Sequence, residues 1–72
     1  MNKENKKQIT EKIEELLRLT RRFSDLEGLE YVQTPAFEEY VVAYFESGAQ
    51  KQIYVTADSG IAMIQDVVAR LY

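Results

Sequence analysis

The apolar positions change period twice along the chain. Over residues 9–23, Ile9, Ile13, Leu16, Leu17, Thr20 and Phe23 recur every three or four positions. That spacing gathers side chains into one stripe of an α-helix. Opposite the stripe lie Glu11, Lys12, Glu15, Arg18 and Arg22, and Glu14 precedes Arg18 by four residues, the favourable order for a surface ion pair. The helix is expected to close before Gly28, a natural residue just past a helix end. The basic, polar residues 1–6 are expected to form a disordered tail, because Lys3, Lys6 and Lys7 stand at the wrong end of the helix dipole.

From residue 29 the period becomes two, the signature of β-strands. LEYVQ (29–33) reads as a short strand ended by Thr34-Pro35, with its facing ambiguous. EEYVVAYFE (38–46) and KQIYVTA (51–57) follow as a hairpin. Val41, Ala43 and Phe45 share one face of the first and Ile53 and Val55 one face of the second, whereas Tyr40, Val42, Tyr44 and Tyr54 fall on the other. Opposed residues must point the same way. Matching the aliphatic sets pairs Ala43 with Ile53, Val41 with Val55, Val42 with Tyr54 and Tyr44 with Gln52. This register leaves an odd-numbered loop at Ser47, Gly48 and Ala49.

At Asp58 or Ser59, both good N-caps, the helical period returns. Ile61, Ile64, Val67, Val68 and Leu71 form the stripe expected to be buried.

The expected architecture is α+β, in the order α-β-β-β-α: a three-stranded antiparallel sheet with two helices packed on one face. The expected core joins Val41, Ala43, Phe45, Ile53 and Val55 to Ile13, Leu16, Leu17, Ile64, Val68 and Leu71. Residues 1–72 make one domain.

Composition narrows the chemistry. The chain has no cysteine and no histidine, so disulfides and thiolate or imidazole metal sites are excluded, and small-domain stability must come from packing or association. No pair of carboxylates converges and no serine has a partner base, so neither an enzyme nor a cofactor is expected. Glu38 and Glu39, for instance, point to opposite faces of a strand. MNKENKKQ lacks the apolar core of a signal peptide and no run reaches transmembrane length, which leads to an expectation of a cytoplasmic protein. Residues 1–22 hold seven Lys and Arg against four Glu, and residues 23–72 two against eight acids. The acidic body disfavours broad nucleic-acid binding.

The element order resembles that of the double-stranded-RNA-binding domain, over most of the chain. That family grips phosphates with a lysine-rich start to its last helix. Here the corresponding residues are Thr56, Ala57, Asp58, Ser59 and Gly60, with an acid where the lysines would stand. The same segment as an anion site fails for a related reason, since Asp58 would cap the free N–H groups itself.

The functional expectation is a small non-catalytic module that binds protein, itself or another, through the uncovered sheet face carrying Tyr40, Val42, Tyr44 and Tyr54. Tyrosine suits interfaces because it offers large area at little rotamer cost. The alternative is a nucleic-acid-associated accessory protein using Lys12, Arg18, Arg21 and Arg22 of the first helix. The interspersed glutamates make an ordinary solvated face of those four cations.

Overall fold

A computed structural model describes residues 2–55 and 59–71. Helix α1 (Lys3–Arg18) leads into strands β1 (Leu26–Gln33), β2 (Glu39–Phe45) and β3 (Gln50–Tyr54), and helix α2 (Gly60–Leu71) follows. The strands form one antiparallel sheet in the order β1-β2-β3. The α+β, α-β-β-β-α architecture expected from the periodicity is the one observed.

Helix α1 starts and stops earlier than its apolar stripe suggests. Asn2 caps it, its side chain accepting the Asn5 N–H at 2.8 Å, so Lys3–Lys6 form a helical turn where a disordered tail was expected. Lys6 is held by an ion pair to Glu39. At the other end the chain leaves the helix after Leu19, and Thr20 donates its hydroxyl to the Leu17 carbonyl at 2.6 Å. Phe23 therefore enters the core from a turn rather than from the helix.

Gly28 is a strand residue, not a helix terminator. It sits at an irregularity in the β1–β2 pairing, between Leu26 and Gly28. The Glu14 carboxylate of α1 accepts the Leu29 N–H there at 2.7 Å, and a Cβ on Gly28 would stand 3.3 Å from the same oxygen. A bulge leaves ladder groups unpaired, and Glu14 takes one of them. Glu14 also pairs with Arg18 at 3.6 Å, as its spacing predicts.

The β2–β3 register is offset by two residues from the one expected. Val41 pairs with Ile53, Tyr40 with Tyr54, Val42 with Gln52 and Tyr44 with Gln50. An even offset preserves which side chains share a face, so the facing assignment holds while the partners change. The loop is still odd-numbered. It spans Glu46, Ser47 and Gly48, with Gly48 at φ 90° in third place, where three-residue hairpin loops need a left-handed residue.

One core lies between the sheet and the helices. Ile13 and Leu17 of α1, Met63, Val67 and Leu71 of α2, and Leu26, Leu29, Tyr31, Val41, Ala43 and Ile53 of the sheet are buried together with Phe23. Phe45 and Val55 lie at its margin. Three expected core residues, Leu16, Ile64 and Val68, are outside it, Leu16 being 66% exposed and Ile64 45% exposed. Val68 is half-buried and Ile61, placed on the same stripe, is 70% exposed. The side of α2 that meets the sheet is instead Met63, Val67 and Leu71, spaced by four, and this turns Ile61, Ile64 and Val68 away from it. Ser59 caps α2, accepting the Ala62 N–H at 3.1 Å. The Asp58 capping reading, with Thr56 and Ala57, lies outside the described residues.

Candidate interaction surfaces

Alternation along three strands puts Glu30 and Val32 of β1, Tyr40, Val42 and Tyr44 of β2, and Gln50, Gln52 and Tyr54 of β3 on the sheet face away from the helices. The four residues singled out from the sequence are therefore brought together. Their grouping differs in one respect: the cross-strand pair is Tyr40–Tyr54, with ring centroids 5.8 Å apart and planes at 57°, not Val42–Tyr54. Val42 lies between Tyr40 and Tyr44 and is only 6% exposed, although no helix covers it. Tyr54 at the edge is 53% exposed.

Tyr44 is anchored by its hydroxyl, which donates to Glu30 at 3.0 Å. This bond to a carboxylate is the largest cause holding the Tyr44 phenol above its ordinary pKa. The face thus presents rings, hydroxyls, two amides and one carboxylate, with no cation among its described residues.

A second surface was not foreseen. Between α1 and α2 runs a groove of about 280 Å³, lined by Ile9, Lys12, Ile13, Leu16, Leu17, Ile64 and Val68. Lys12 is its one charged lining residue among the described residues. The helices approach closely at one end, where a Cβ on Gly60 would stand 3.0 Å from Ile9 Cδ1. The available signal was the surplus of apolar positions on two short helices, more than one sheet face can cover.

On the far side of α1, Lys6 donates to Glu39, and the Tyr31 hydroxyl donates to the same carboxylate oxygen at 2.5 Å. Desolvation pushes Glu39 up, but the hydrogen bonds from Lys6 and Tyr31 and the nearby ammonium together outweigh it, so the carboxyl stays below its usual range. The hydrogen bond to Glu39 raises Lys6, and burial raises Tyr31. Lys6 and Tyr31 both donate to the same Glu39 oxygen, which describes a brace between α1 and the sheet.

The cations of the alternative reading stand in different settings. Lys12 lines the helical groove, Arg18 pairs with Glu14, and Arg21 and Arg22 lie in the turn after α1. Arg22 stands 5.8 Å over the Phe23 ring. Among the described residues no cluster of three or more acids, histidines or cysteines could hold a metal ion, and no helix is long and apolar enough to cross a membrane.

No family model, curated protein or solved structure matches the chain.

Proposed function

We propose that this chain is a small, non-catalytic protein-interaction module of the cytoplasm that docks protein, another chain or its own copy, on the tyrosine-bearing sheet face. The observation that supports this reading is the packed row of Tyr40, Val42 and Tyr44 with Tyr54 beside it, on a face no helix covers. A solvated antiparallel face is ordinarily polar. Here the rings are held in place before any contact by the Tyr40–Tyr54 pair and the Tyr44–Glu30 bond, and preorganised rings lose little entropy on docking. The carboxylate and amide groups around them suit a partner that offers aliphatic or aromatic surface together with a basic donor. Absence of cysteine fits a reducing compartment.

The Tyr44→Ser, Tyr54→Ser double variant tests this. It should weaken association by ~2–4 kcal/mol, the range of one or two interface hot spots, with an unchanged circular dichroism spectrum. Sedimentation at matched concentration and capture of partners from lysate supply the measurement. Equal association and the same captured partners in both proteins would overturn the proposal. Docking of this kind changes little with salt, whereas a steep loss with rising salt would instead support the nucleic-acid alternative through Lys12, Arg18, Arg21 and Arg22.

A further inference from the structure

Helix α2 carries two charged residues in 12, Asp66 and Arg70. Its buried row is Met63, Val67 and Leu71. A helix this apolar usually has cover on more than one side, and α2 has the sheet on one and α1 on the next. Besides Arg70 near its C-terminal end, it shows Ile61, Ile64, Gln65 and Ala69 to solvent, with Val68 half-covered. Across the groove Leu16 of α1 continues the same patch. Leu16 and Ile64, both exposed, thus line one cleft together with the half-covered Val68.

We infer that this helical face is covered by a second copy of the chain, giving a two-fold dimer in which the two helical layers pack together between two outward-facing sheets. Charge selects the occupant. In a two-fold contact each group near the axis meets its own kind, so a face that packs on itself must be nearly uncharged there. Ile61, Ile64, Gln65 and Val68 of α2 meet this condition. Among the described residues the only charge lining the groove is Lys12, and Glu15 stands three residues along the exposed side of α1. An antiparallel crossing of the two α1 helices sets Lys12 of one copy against Glu15 of the other.

Helices of 16 and 12 residues, about 24 and 18 Å long and each about 10 Å wide, present about 420 Å² in outline when laid side by side, a contact at the small end of the range for specific interfaces. A 72-residue chain without cysteine is also the kind of domain that gains stability from association. This surface is separate from the tyrosine face, which the dimer would leave free on both sides.

Sedimentation of the full chain over a wide concentration range tests the inference, with circular dichroism as the control for folding. Wild type should dimerise. Leu16→Glu should raise the dissociation constant on the order of thirtyfold or more, as loss of a central anchor does. Lys12→Glu and Glu15→Lys should each weaken the dimer by about tenfold, and the two together should restore it, a pattern that general loss of hydrophobic contact does not produce. The charge-reversal pair also serves if Leu16→Glu does not fold. A wild type that stays monomeric throughout overturns the inference. So does a dimer that survives Leu16→Glu, or charge reversals without mutual rescue. A dimer that survives Leu16→Glu and is lost in Tyr44→Ser, Tyr54→Ser assigns self-association to the sheet face, which overturns the helical dimer and leaves the proposed docking face standing.

Discussion

Lys6, in the first turns of α1, and Glu39, at the start of β2, form an ion pair across 33 residues of sequence, and Tyr31 donates to the same carboxylate oxygen. The pair ties the N-terminal end of α1 to the strands, with both side chains largely withdrawn from solvent. A charge-assisted bond in such a setting contributes more than an exposed ion pair does.

The linkage has a definite sign. Glu39 is held below its ordinary value in the fold, so its contribution is present above the usual carboxylate range and is lost as pH falls through its lowered folded pKa. Lys6 and Tyr31 are raised, so theirs is present below their ordinary values of 10.5 and 10.0 and is lost as pH rises through the raised ones. Stability should therefore be level through neutral pH and fall at both extremes. Glu39→Gln should make the acid fall shallower, and Lys6→Met should lower neutral stability by about 1–2 kcal/mol. Thermal melts of the three proteins across pH check this. An unchanged acid limb in Glu39→Gln would show that the trio does not brace the fold.

Met63 is completely buried, whereas Phe45 sits at the edge of the core. Loss of buried volume costs most where the surroundings cannot collapse. Met63→Ala should therefore destabilise by ~2–5 kcal/mol and Phe45→Ala by less, despite the larger ring. Denaturant melts of the two variants decide the order. A costlier Phe45→Ala would place the centre of the core nearer the hairpin.

The order of elements and the facing of β2 and β3 were legible because period-two and period-four patterns are local. The candidate site was legible for the same reason: parity alone puts Tyr40, Val42, Tyr44 and Tyr54 on one side. The register was not, since a two-residue offset leaves every face unchanged and only the geometry of the Gly48 loop distinguishes the alternatives. Nor was the depth of each helical stripe. Met63, Val67 and Leu71 form one apolar row and Ile61, Ile64 and Val68 another, and tertiary packing decides which row meets the sheet. Leu16 was misplaced by the same ambiguity. Lys6 gave no sign of its role because its partner lies in another element, far along the chain.

Both hairpins turn by the same geometry, and one of them uses the wrong residue for it. In the β2–β3 turn Phe45 donates its N–H to the Ala49 carbonyl at 3.0 Å and Gly48 donates to the Phe45 carbonyl at 2.9 Å. In the β1–β2 turn Thr34 donates to Glu38 at 2.9 Å and Phe37 to Thr34 at 2.9 Å. The third loop residue has positive φ in each: Gly48 at 90° and Phe37 at 64°. Glycine adopts this region freely, whereas an ordinary L-residue loses about 1–2 kcal/mol there. The Phe37 ring recovers little of that by burial, being 81% exposed. Phe37→Asn should consequently stabilise the fold by roughly 0.5–1 kcal/mol, because asparagine tolerates the left-handed region without glycine's entropy. Gly48→Phe should cost about 1–2 kcal/mol. Urea melts of both variants measure the two changes, and they should be opposite in sign. A destabilised Phe37→Asn would mean that the ring makes a stabilising contact in solution that offsets its backbone strain.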